Sequence, residues 1–235
     1  MRSSRCHRAL SLGFLISLYM CSACFAQVNA AGEAPFSNLD WEEVHSDKLV
    51  TIYTAPVEGF RVKAFRAVSV YDATLQQMVA VLTDLDHFPD WLDGTVEAKV
   101  LENKGKRQQL CYYVNNFPYP FKDREGIILQ SISEMDNGEV SVSVEALSDA
   151  KLINQKLVGV RHFHGGWIVR EVAEQGSSGR PKVELTYQIH FDPAGNVPRW
   201  VVNLLLIDSP KKSMKNLHAL DFVAYDRSSL DLIAD

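Results

Sequence analysis

Between Thr95 and Phe191 the hydrophobic period of the sequence is two, carried through six successive runs. Runs of this kind form strands, and short polar connections force neighbours to pair antiparallel. Residues 95–101 and 108–116 are joined around Asn103-Lys104-Gly105-Lys106. Residues 124–135 and 139–147 meet at Asp136-Asn137-Gly138-Glu139, and Asn-Gly between alternating runs is a strong hairpin signal. Residues 160–172 and 182–191 form a third pair, and Asp192-Pro193-Ala194-Gly195 ends it.

Other periodicities bracket this block. Residues 37–46, with Leu39, Trp41 and Val44, are predicted as a short helix, and 48–55 and 60–71 as strands. Asp72 or Thr74 caps a helix in which Leu75, Met78, Val79 and Leu82 recur at helical spacing. Residues 86–92 continue as an aromatic-rich turn or helix. Pro198 suits the first turn of a long C-terminal helix, and Pro210 is predicted to break or kink it. Met214, Leu217, Leu220 and Val223 continue its apolar face. The order implies an α+β domain: a curved antiparallel sheet with helices segregated to one side. A helix lying across such a sheet leaves a volume where a small-molecule site is expected. The run from Val201 to Ile207 is apolar on most sides, so it is either buried all round or covers that volume. The need to cover a curved sheet favours a gate from Pro198 to Asp208, with Val201, Leu204 and Leu205 touching the ligand.

Composition excludes other classes. In 235 residues, 46% are hydrophobic and 23% charged, which suits a globular chain. A net charge of −5 gives nucleic-acid binding no electrostatic footing. Arg2, Arg5 and Arg8 precede an apolar run from Leu10 to Met20, and Ala23, Ala26, Ala30 and Ala31 follow. Residues 1–26 therefore read as a secretory signal peptide, with a retained anchor as the alternative and Ser22-Ala23-Cys24 as a faint lipoprotein site. The expected location is the periplasm or the exterior. Cleavage after Ala26 or Ala30 leaves Cys111 as the sole cysteine, so no intramolecular disulfide can form.

Chemical motifs are sparse. The sequence contains no G-x-S-x-G, Walker loop, H-E-x-x-H or G-x-G-x-x-G after a strand, and no motif calls for a metal or a cofactor. His162 and His164 share a strand face and His190 lies on a nearby strand; hydrogen-bonded histidines are the simpler reading than a metal site, which needs further ligands. Asp84 and Asp86 sit at a helix end, where capping outweighs acid–base work. Cys111, between Leu110 and Tyr112, reads as a buried, inert thiol.

Several segments, in order, resemble one family. They are Asp86-His87-Phe88-Pro89-Asp90-Trp91, the stretch from Asn116 to Glu125 (NFPYPFKDRE), Val160-Arg161, Gly166-Trp167, Tyr187, and the stretch from Asp192 to Trp200 (DPAGNVPRW). Together they are similar to the START domain, the steroidogenic-acute-regulatory-related lipid-transfer domain, in its exported bacterial form, over residues 37–228. The resemblance implies a helix-grip fold with an internal hydrophobic tunnel. It implies that a monomer binds one lipid or sterol-like molecule, without covalent chemistry, for transport or sensing in the cell envelope. In the family the strand opening at the Arg-acid pair, here Arg124-Glu125, lines the tunnel. Gln130 stands at the later inward position where some members carry arginine. The segment from Ser148 to Gly159 corresponds to the tunnel mouth. Its Leu152, Ile153 and Leu157 beside Lys151 and Lys156 make a membrane-touching set. Ligand contact is then expected from Trp91, Tyr113, Asn115, Gln130, Arg161, Trp200, Val201, Leu204 and Leu205. Arg161 is expected inside a strand, where a charge needs a partner. The wider superfamily also holds cyclases and hydrolases, so a helix-grip enzyme is the alternative, with Tyr113, Glu145 and His190 as its candidate groups. A Glu–His or Tyr–Arg pair in the tunnel would favour the enzyme.

Overall fold

The computed structural model describes residues 36–148, 151, 153–154, 156–173 and 181–225. Residues 1–26, read above as a signal, lie outside this set, as do Leu152 and three other positions of the mouth segment.

The described chain forms one ten-stranded sheet. Its strands are β1 (Glu42–Ser46), β2 (Thr51–Ala55), β3 (Ala64–Tyr71), β4 (Thr95–Asn103) and β5 (Gln108–Asn115), followed by β6 (Arg124–Glu134), β7 (Val140–Ala146), β8 (Val158–Gly159), β9 (His162–Val172) and β10 (Lys182–Asp192). The order across the sheet is β1-β2-β3-β10-β9-β7-β6-β5-β4. Every pair on this path is antiparallel, and the two-residue β8 alone joins in parallel, beside β6. The hairpins at residues 103–106 and 136–139 fall where the sequence places them.

Residues 37–46 depart from expectation: their second half is the edge strand β1, not a helix. This strand is largely exposed, so no buried face imposes alternation on its sequence. Pairing with the open edge of β2 overrides a weak helical spacing.

Helix α1 (Leu75–Thr83) is capped by Thr74, not Asp72. The Thr74 hydroxyl accepts from Gln77 N at 3.1 Å, and Gln77 Oε1 accepts from Thr74 N at 2.9 Å, a reciprocal capping box. A 3₁₀ turn (Leu85–His87) and α2 (Phe88–Trp91) follow. The C-terminal helical run comprises α3 (Arg199–Asn203), a π turn (Leu204–Asp208) and α4 (Ser209–Leu217). Pro210 does not stop it. Just ahead of the proline, Ser209 N–H donates to Leu204 O five residues back, and this wider turn absorbs the ring that an α turn would crowd. The helices lie over the inner face of the sheet, where Met78, Leu82, Trp91, Trp167, Leu185 and Met214 belong to one continuous core.

Gly165 and Gly166 set the shape of β9. Both have φ near +140°, and a Cβ on either would fall 2.1 Å from a carbonyl oxygen of the flanking strand, Gln188 O or Val142 O. Only glycine lets β10 and β7 approach this closely from the two sides.

The same region brings the histidines together. His190 Nε2 lies 3.1 Å from Val62 O and so carries the hydrogen; His190 Nδ1 then accepts from His162 Nε2 at 2.8 Å. Phe60 stacks on His162 at 4.4 Å, which completes the enclosure. The pair is spent on itself and on the loop before β3. Burial holds both rings below the ordinary histidine pKa, with Asp192 opposing weakly.

Two outcomes follow from these contacts. Gly166→Ala should lose about 3 kcal/mol or more of stability, read from denaturant unfolding, because both φ and space are violated. The histidine pair sets a pH dependence. Its folded-state pKa values are depressed, so the unfolded chain binds more protons below about pH 6.5. Stability should be full above that value and fall as pH drops from there toward the depressed values. His190→Leu should flatten the fall, though His164 and His218, also depressed by burial, keep part of it.

Candidate functional site

A cavity of about 100 Å³ lies between the inner face of the sheet and the C-terminal helical run. The strand period of two puts Tyr113 and Asn115 of β5, Phe163 and Trp167 of β9, and Tyr187, Ile189 and Phe191 of β10 on its wall. Leu85, Phe88 and Leu92 close one side, and Leu205 and Pro210 come from the helical run. The wall is mostly apolar and aromatic.

Its polar groups are nearly all engaged. Asn115 Oδ1 accepts from Thr95 Oγ1 at 3.0 Å. Ser209 Oγ donates to Asp93 O at 3.0 Å, and Ser213 Oγ accepts from Asp93 N at 3.0 Å. Arg124, 4% exposed, directs its guanidinium to three backbone carbonyls, Lys122 O, Pro193 O and Ala194 O, and lies 3.8 Å over the Phe117 ring. Burial lowers its pKa from the ordinary arginine value.

Two groups are not engaged. The Tyr113 hydroxyl and the Trp167 indole N–H belong to cavity-lining residues, but both atoms are themselves fully buried and without a hydrogen-bond partner. Tyr113 faces Gly126 across the ladder, and a Cβ at Gly126 would fall 2.5 Å from the phenol ring, so the ring occupies the space that glycine leaves. Burial, and the neighbouring Tyr187, push the Tyr113 pKa well up, so the phenol stays protonated. Trp167 stacks on its cross-strand partner Tyr187 at 5.2 Å, with Phe88 and Trp91 edge-on at 5.9 and 6.2 Å.

Of the nine residues expected to contact ligand, Tyr113, Asn115 and Leu205 line the cavity. Six do not. Trp91 is buried one layer behind, against Phe88 and Trp167. Gln130 is spent on α1: its Nε2 donates to Leu82 O at 3.0 Å and its Oε1 accepts from Gln109 Nε2. Arg161 falls just outside β9 and is exposed, where its guanidinium donates to Ser148 O across the base of the mouth loop. Solvent solvates that charge, so the buried partner expected for it is not needed. Trp200 is 55% exposed beside Phe121. Val201 is buried, but against Phe117 and Val197. Leu204 opens the π turn and is half-buried, and its neighbour Leu205 lines the cavity.

The three groups of the enzyme alternative are not brought together. Glu145 is exposed, His190 is bound to His162 and Val62, and Tyr113 has no partner. Cys111 is buried and its pKa is pushed up to about 12 by burial, so it is a thiol at neutral pH. Asp84 and His87 form an exposed ion pair at 2.8 Å. The wall residues that the sequence left unassigned are chiefly Trp167, Tyr187 and Phe88. The Gly165-Gly166 pair ahead of Trp167 is the one local signal that marked a close approach there.

The chain is similar to known proteins over most of its length. An uncharacterized protein of Pseudomonas aeruginosa is 25% identical over 182 residues, covering 77% of this chain and 86% of that one. START domain-containing protein 10 of Mus musculus is 22% identical over 184 residues; the match spans 77% of this chain but only 61% of the mouse protein. Among solved structures, the STAR-related lipid transfer protein fragment from Xanthomonas axonopodis superposes with a TM-score of 0.67 at 25% identity, over 76% of this chain and 97% of that one. Human StAR-related lipid transfer protein 5 gives 0.67 at 14% identity, over 76% and 85%. The START domain family model matches residues 32–218. With its curved antiparallel sheet, its closing C-terminal helical run and this match over most of its length, the chain belongs to the START domain family.

Proposed function

We propose that the protein binds one lipid-like molecule between its sheet and its C-terminal helical run, and carries or senses it in the cell envelope after export. The carrying observation is an apolar, aromatic-walled cavity roofed by that run in a START-family chain. The lipid-transfer names of its structural relatives support the reading. Among the described residues no acid–base couple faces the cavity, which favours binding without chemistry over turnover.

The volume constrains how binding works. About 100 Å³ is below the roughly 300–1,000 Å³ of ordinary ligand sites and below a roughly 150 Å³ cavity that admits benzene. A lipid therefore enters only if the roof gives way. The exposed side chains near the mouth fit a membrane as the place where that happens. Tyr119 is 94% exposed, Ile153 and Trp200 are exposed, and Lys151 and Lys156 flank Ile153. A protein working this way needs no second copy, so we propose a monomer.

Protein recovered from the envelope fraction should yield, on solvent extraction and mass spectrometry, up to one lipid per chain, with residues 1–26 absent. A chain that retains no lipid and takes none from vesicles would overturn the reading. Val144→Phe, which adds bulk to a buried wall position, should cut lipid uptake at least tenfold while the protein remains folded by circular dichroism.

A further inference from the structure

The cavity stops partway along the sheet. On β10 the inward side chains Tyr187, Ile189 and Phe191 line it, whereas the next inward residue, Leu185, is fully buried and does not. Four residue steps at about 3.4 Å give a depth of about 14 Å. The neighbouring strands agree. Trp167 lines the cavity and Val169 does not; Tyr113 lines it and Cys111 does not.

Trp167 and Tyr187 form the floor. They are cross-strand partners, stacked at 5.2 Å with an interplanar angle of 11°, and Phe88 and Trp91 brace Trp167 edge-on. Met78, Leu82, Val142 and Leu185, all fully buried, belong to the core beyond the cavity. A close-packed interior leaves the floor no room to recede. The floor is also apolar toward the cavity, because the Trp167 Nε1 atom is itself buried. The polar lining residues Asn115, Asn116 and Arg124 gather at the other end. There Arg124 donates to Pro193 O, two residues beyond Phe191, and Asn116 is exposed.

We propose that the Trp167–Tyr187 floor is a ruler for one apolar chain, which enters tip first from the Asn116 end and reaches no deeper than about 14 Å. This deepens the lipid-binding reading and rests on it. Movement of the roof adds girth to the cavity and no depth. Ser209 and Ser213 tie α4 to Asp93 beside the cavity, so room for one chain is reached before room for two. At about 1.25 Å per methylene, the projection of a bond of about 1.5 Å at a near-tetrahedral angle, about eleven carbons reach the floor. Further carbons remain at the rim, in water.

The test uses the mature protein from the envelope fraction, stripped of lipid. Straight-chain fatty acids of eight to eighteen carbons are titrated calorimetrically below their critical micelle concentrations. Each added methylene should tighten binding about fourfold up to about eleven or twelve carbons, and less than about twofold beyond. Phe88→Leu and Trp167→Leu each lower the floor and should move the break about two carbons further, with circular dichroism checking the fold; the unsubstituted series decides alone if a variant fails to fold. A fourfold rise that continues to eighteen carbons, binding independent of chain length, or a break that stays in place in a folded variant overturns the ruler alone. So does a protein that takes phospholipid from phosphatidylcholine vesicles but no fatty acid. Uptake of neither overturns the lipid-binding reading and the ruler with it.

Discussion

Helix α4 is held on two sides by hydrogen bonds, and the cavity exists because of them. On one side Ser209, Ser213 and Asn216 reach the backbone of Trp91 and Asp93. On the other, Tyr71 O–H donates to Met214 O at 3.0 Å, Ser69 Oγ lies 2.9 Å from His218 Nε2, and Tyr71 stacks on that imidazole. A nine-residue helix is not stable alone in water, so α4 is helical because it is fastened there. Each bond contributes about 1 kcal/mol net, added to the burial of Met214 and Leu217. Lifting α4 as a unit would cost a large share of a domain's stability.

Helix α3 is held differently. Among the described residues none of its side chains hydrogen-bonds another element; Val201 sits in the small Phe117–Val197 cluster and Trp200 faces solvent. The π turn separates the fastened half from the apolar-held half.

Much of the fold was legible because its determinants are local or periodic. Asn137-Gly138 fixes a hairpin, Thr74 with Gln77 fixes a helix start, and a period of two puts Tyr113 and Asn115 on one face. What was not legible depends on tertiary partners. Edge strand β1 has no buried face to write into its sequence. The run from Val201 to Ile207 is apolar on most sides, so its sequence does not mark which face meets the cavity: Val201 packs on Phe117 and Val197, Leu204 does not line the cavity, and Leu205 does. Gln130 was expected at an inward, ligand-contacting position, but it is buried against α1, and which carbonyl it answers depends on where α1 ends. Arg161 was judged by its apolar neighbours in sequence, whereas the strand starts one residue later and leaves it in water.

Arg124 and Glu125 show a further consequence of strand alternation. They are adjacent at the start of β6, so their side chains leave on opposite faces and do not pair. Arg124 holds the carbonyls of Pro193 and Ala194, in the turn that leads into α3. Both carboxylate oxygens of Glu125, fully buried, accept from Asn154 N at 2.9 and 3.0 Å in the mouth loop. An ion pair between the two would have satisfied both charges and fastened neither loop. Separated, each buried charge is satisfied by backbone dipoles, and each ties down a segment that has few apolar anchors of its own. The turn before α3 and the segment at Asn154 are thus both tied to the first two residues of one central strand, and the first of these, Arg124, also lines the cavity.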